Sequence, residues 1–98
     1  MIRHICMFKL KEENKQANLQ EMLTRVQSLR EIKEVAAFEV VCNGPGMPES
    51  NYDVALIFDF ANGQDLQTYQ DHPTHKAFGA FIGGIRENRA CIDYEFQP

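Results

Sequence analysis

Few side chains in this sequence combine chemical capability with suggestive spacing. The chain has three histidines, His4, His72 and His75, and two of them fall in the segment Tyr69-Gln70-Asp71-His72-Pro73-Thr74-His75. Imidazoles at i and i+3 on one helix can share a cation. Pro73 rotates one ring relative to the other and no second carboxylate-histidine cluster lies nearby, so no metal site is expected. His72, just before the proline, reads as a helix cap or surface residue. His75 reads as a partner for the carbonyls freed at the break, as a tie from the helix to a neighbouring strand, or as part of a cavity lining. Tyr69 shares a helical stripe with Leu66 and reads as a ring in the core with its hydroxyl at a rim. His4 lies among Ile2, Cys6, Phe8 and Leu10 on one strand face, where burying an imidazole costs about 1 to 3 kcal/mol unless its nitrogens find partners. A pocket wall and a satisfied core histidine both fit that position.

Other chemistries lack their parts. Ser28 and Ser50 are the only serines, and neither sits in a Gly-x-Ser-x-Gly elbow. Cys6, Cys42 and Cys91 are odd in number, widely spaced and embedded in apolar segments, which predicts small buried thiols in place of a disulfide framework, a zinc site or redox chemistry. Gly44-Pro45-Gly46 lacks the lysine and helix of a phosphate cradle, and Gly83-Gly84 follows a helix instead of preceding one. No cofactor is implied.

The 98 residues carry 10 basic and 14 acidic side chains and are 44% apolar, the composition of one folded domain over residues 1–98. A net charge of −4 with scattered basic residues argues against nucleic acid as a partner. No apolar stretch approaches the roughly 18 to 20 residues of a membrane span, and the N-terminus enters a strand pattern without a signal-peptide core, so a cytoplasmic location is expected. A chain this short buries only about 60 to 70% of its unfolded surface, leaving little interior for both a core and a pocket.

These residues must be positioned by a small set of elements. Ile2 to Leu10 reads as a strand with His4, Cys6, Phe8 and Leu10 on one face and Arg3, Ile5, Met7 and Lys9 on the other. Asn14 to Glu34 reads as an amphipathic helix through Leu19, Met22, Leu23, Val26 and Leu29. Val35 to Asn43 is strand-like and ends in the turn signals of Gly44-Pro45-Gly46-Met47-Pro48. Tyr52 to Phe60 is the strongest strand, with Tyr52, Val54, Leu56, Phe58 and Phe60 alternating against Asp53, Ala55, Ile57 and Asp59. A helix starts at Asn62, breaks near His72 before Pro73, resumes through Phe78, Phe81 and Ile82, and is expected to end at Gly83-Gly84. Ala90 to Phe96 is the last strand. The order βαββαβ predicts a ferredoxin-like α+β fold, a four-stranded antiparallel sheet with two helices on one face. The other face is left open, with apolar side chains expected from both the Tyr52–Phe60 and Ala90–Phe96 strands. Two such sheets pairing face to face would make a closed, barrel-like homodimer; the alternative is that both apolar sets meet helices or loops.

His4 in an apolar opening strand, Tyr52-Asp53-Val54-Ala55, Tyr69-x-x-His72-Pro73-x-His75 and Ile92-Asp93-Tyr94 together resemble the stress-responsive A/B barrel (Dabb) family over nearly the whole chain. The resemblance implies a dimeric α+β barrel. Members of that family differ in role: plant proteins accumulating under stress, a polyketide cyclase, and many bacterial proteins with no assigned reaction. In the cyclase a helix-borne Tyr and the second His of the motif act at the catalytic pocket with the first-strand His nearby, which by position implies Tyr69, His75 and His4. An aldol-type cyclisation needs a base to remove a proton α to a carbonyl and a donor for the developing enolate.

Three roles follow as expectations. In the first, a homodimer binds a small hydrophobic molecule in an apolar pocket between the sheet and the second helix, with His4, Phe8, Tyr52, Phe78 and Phe81 as the binding set. In the second, that pocket is a cofactor-independent cyclase or lyase with His75 as general base and Tyr69 as its partner. In the third, the protein is a non-catalytic, stress-associated dimer whose cavity is filled by side chains. Ala77, Gly79 and Ala80 favour the first two by leaving room beside Phe78 and Phe81.

Overall fold

Strand periodicity in the first ten residues is realised over Ile2–Leu10 (β1). The computed structural model describes residues 1–98, and the remaining elements are Lys15–Arg25 (α1), a 3-10 segment Val26–Glu31, Ala37–Cys42 (β2), Val54–Phe60 (β3), Gly63–Asp71 (α2), Pro73–Ile85 (α3) and Arg86–Glu95 (β4). The sheet is antiparallel in the order β2-β3-β1-β4, and the fold is ferredoxin-like α+β.

Side-chain alternation divides the sheet into two unlike faces. His4, Cys6, Phe8 and Leu10 of β1, together with Val54, Leu56, Phe58 and Phe60 of β3, are buried against Met22, Val26 and Leu29 of the first helical segment and against Leu66, Tyr69, Phe78 and Ile82 of α2 and α3. The opposite face carries no helix. Ile5, Ile57 and Ile92 lie in one cross-strand row there, and Met7, Ala55, Val41 and Ala90 in the next. Met7, Val41, Ile92 and Tyr94 are exposed, Ile92 by 60%. The open face is thus apolar as expected, with one correction: the heavier set of β3 faces the helices, and only Ala55 and Ile57 reach the open side. Arg3 and Asp59 form a two-pronged ion pair (2.8 and 3.0 Å) at the rim of this face.

Three further expectations are corrected. Gly83-Gly84 does not end α3, which continues to Ile85; neither glycine has positive φ, and β4 begins at Arg86 because β1 pairs with it as far as Leu10. Cys6 and Cys91 are not free thiols. They face each other across the β1–β4 register, with Cα atoms 4.3 Å apart, and are joined as a disulfide. Cys42 is free but exposed, since it ends the edge strand β2. No helix is long and apolar enough to cross a membrane.

Candidate functional site

The site begins with a local backbone decision. Pro73 has no N–H and disfavours helical geometry in the residue before it, and His72 accordingly adopts extended backbone (φ −65°, ψ 136°) between α2 and α3. An unbroken helix would send the Thr74 N–H to the Gln70 carbonyl. Here the Thr74 N–H donates instead to Nδ1 of His72, at 3.1 Å, so His72 caps α3. The Gln70 carbonyl is freed, and Nδ1–H of His75 donates to it at 3.1 Å. That bond fixes the tautomer, leaving Nε2 of His75 as an acceptor without a partner in the chain. His72 and His75 therefore serve separate local bonds and share no centre.

His75 and Tyr69 pack with ring centroids 4.6 Å apart. Tyr69 is 2% exposed and its ring also meets Phe58 and Phe60. Burial pushes its phenol well above the ordinary value near 10, so it stays an O–H donor at neutral pH. No sealed side-chain polar atom lacks a partner; the Tyr69 hydroxyl, which makes no hydrogen bond within the chain, therefore opens onto the space beside it. Burial also lowers the pKa of His75 below 6.5, against the raising effect of the Gln70 carbonyl and with the help of neighbouring His4 and Arg89. A neutral imidazole with a free Nε2 thus sits beside a neutral phenol.

Both residues line a cavity of about 270 Å³ between the sheet and the α2–α3 hairpin. Its apolar wall is Phe8, Leu56, Phe78 and Ile82, and Gly79 leaves a gap in α3 where a Cβ would meet nothing within 4 Å. His4 closes the floor. Its Nδ1–H donates to Asp93, its cross-strand neighbour on β4, and its Nε2 lies 3.4 Å from Cys6 Sγ. His4 is therefore both a bonded core histidine and a pocket wall. Arg86 and Arg89 of β4 complete the lining.

His4, Phe8, Tyr69, His75 and Phe78 are thus brought together. Tyr52 and Phe81, expected in the binding set, do not line this cavity. Strand pairing begins only at Val54, so the alternation that predicted an inward Tyr52 does not reach it; it lies beside Met7, Val41 and Ala55 on the open face. Phe81 is turned toward α1, with the Arg25 guanidinium 4.4 Å from its ring. Gln70, Arg86 and Arg89 were not anticipated. Gln70 sits next to Tyr69 in the motif, but no sequence signal places the two arginines, which precede the expected start of the last strand.

The comparisons with known proteins follow the same lines. The family model for the Stress Responsive A/B Barrel Domain matches residues 2–96. Among solved structures, a dimeric protein of unknown function with a ferredoxin-like fold from Bacteroides fragilis is 33% identical, with 97% of this chain and 95% of that one covered and a TM-score of 0.82. A dimeric ferredoxin-like protein from Thermobifida fusca is 26% identical over 97% and 90% of the two chains (TM-score 0.87). A Dabb family protein from Mesorhizobium loti is 27% identical over 99% and 97% (TM-score 0.83). No curated protein matches.

Proposed function

The chain belongs to the stress-responsive A/B barrel domain family, and from that premise we propose that it is a homodimer that binds a small hydrophobic molecule between its sheet and the α2–α3 hairpin. The observation that supports this most is the cavity itself: about 270 Å³ with mainly apolar walls and, on two of its lining residues, polar atoms that the chain leaves unpartnered, the Tyr69 hydroxyl and His75 Nε2. Apolar cavities of about 150 Å³ already accept a benzene, and ligand pockets characteristically pair apolar walls with a few placed polar groups. A cavity of this size speaks against the reading in which side chains fill it. Dimerisation is supported by the uncovered row of Ile5, Ile57 and Ile92 and by the dimeric state of two of the solved relatives.

Titration with the neutral fluorophore N-phenyl-1-naphthylamine tests the pocket. Saturable binding by the native chain, lost in Gly79→Phe with its new ring in the gap, is the expected result; equal binding by both would defeat the proposal.

A second reading makes the same pocket a cofactor-independent cyclase or lyase. It is favoured by the pairing of a free Nε2 acceptor on a neutral His75 with a Tyr69 phenol held protonated by burial. In that reading His75 removes a proton α to a carbonyl, and Tyr69 donates to the oxygen on which negative charge develops.

A further inference from the structure

Residues three apart on a regular strand point to opposite faces of the sheet. Arg86 and Arg89 do not. β1 pairs Phe8 with Arg89 and Lys9 with Asn88, but Leu10 with Arg86, leaving Glu87 as an extra, unpaired residue. This bulge resets the alternation, so Arg86 joins Arg89 on the side of β4 that Phe8 and Leu10 occupy, the side of the pocket. Bulges characteristically re-aim a side chain in this way, often beside a functional site.

The electrostatic setting singles the pair out. The chain is acidic overall, with a net charge of −4, yet the cavity lining contains both arginines and no aspartate or glutamate. Arg3 and Arg25 each pair with a carboxylate, and Arg30 lies over the Phe38 ring. Arg86 and Arg89 make no ion pair; the only hydrogen bond of the Arg89 side chain is a long one, 3.7 Å, to Cys6 Sγ on the pocket wall. Guanidinium groups recognise oxyanions through paired N–H donors.

We propose that the ligand of this pocket is an anionic amphiphile, its apolar part seated against Phe8, Phe78 and Ile82 and its oxyanion held by Arg86 and Arg89 at the β4 side. This assignment rests on the pocket reading above and adds the substrate class to it. The anion then sits near the His75–Tyr69 pair, so the group next to the oxyanion is the part of the ligand presented to Nε2.

Calorimetric titration of the full chain with 4-butylbenzoate, 4-butylphenylphosphonate and the neutral 4-butylbenzamide separates the two levels. At low salt at least one of the two anions is expected to bind tenfold or more tighter than the amide. An Arg86→Gln/Arg89→Gln variant is expected to lose at least fivefold more affinity for that anion than for the amide. Equal affinities of all three compounds for the native chain, or an anion preference that survives the double substitution, would overturn the oxyanion assignment while leaving the pocket intact. No binding of any of the three would overturn both.

Discussion

Nδ1 of His75 and the main-chain carbonyl of Gln70 are joined by a 3.1 Å hydrogen bond across the break between α2 and α3. Pro73 and His72 make that bond available, since the N–H that would otherwise occupy the carbonyl has turned to the His72 ring. One consequence is kinetic. If the pocket turns over a carbonyl substrate, His75→Gln should lower kcat by about 10²- to 10⁴-fold, the usual contribution of a general base. A steady-state assay in which the variant retained native turnover would remove His75 from the chemistry.

A second consequence is a pH dependence. Burial holds the folded-state pKa of His75 below 6.5. As pH falls through 6.5 the unfolded imidazole takes up a proton while the folded one does not, so the unfolded state binds more protons and stability declines; above that value the contribution is fully present. The Tm of the native protein should therefore fall more steeply between pH 7 and pH 5 than that of His75→Gln. Identical slopes in the two proteins would contradict the shift.

Gly79 is a helix-interior glycine with open space where a side chain would be. Glycine costs about 0.8 to 1 kcal/mol relative to alanine in such a position, and the gap it leaves forms part of the pocket. Gly79→Ala should raise stability by up to about that amount while weakening ligand binding, a trade visible in paired urea melts and fluorophore titrations. A variant that is no more stable and binds as before would show that the gap serves neither role.

The Cys6–Cys91 disulfide closes most of the chain, the two residues being 85 apart. Cross-links over long loops typically contribute about 2 to 4 kcal/mol. Reduction with dithiothreitol, or Cys91→Ala, should lower the urea midpoint accordingly. Cys42→Ala, at an exposed position, should leave it within about 0.5 kcal/mol of native. Coincident melts of reduced and oxidised protein would rule the contribution out.

Ile92 is the most exposed large apolar residue of the uncovered face. An aspartate there would place a charge within a face-to-face sheet pairing, where it would be desolvated without a partner. Sedimentation is expected to give twice the 11.3 kDa chain mass for the native protein and the single mass for Ile92→Asp. A native particle of 11.3 kDa at micromolar concentration would end the dimer proposal.

Rules that act over a few residues made much of this legible in advance. Alternation in Ile2–Leu10 placed His4, Cys6, Phe8 and Leu10 on the helix side; Pro73 located the break and the His72 cap; Asn62 capped α2 through the Asp65 N–H. Alternation misled at Tyr52, where it was extended two residues beyond the paired strand. Helical spacing misled at Phe81, because the angular position that separates it from Phe78 turns it toward Arg25.

Read alone, the amino-acid order determined the element sequence, most of the apolar faces and the break at Pro73, because each of these depends on side-chain period or on proline chemistry within one or two turns; the pairing of Tyr69 with His75 came from the family resemblance. Register between distant strands decided the rest. Only the pairing of β1 with β4 brings Cys6 onto Cys91 and His4 onto Asp93, and only the extra residue Glu87 in that pairing turns Arg86 to the same side as Arg89. A one-residue offset inverts which way a strand side chain points, and that offset is set by partners some 80 positions away in the chain, beyond the reach of any local pattern.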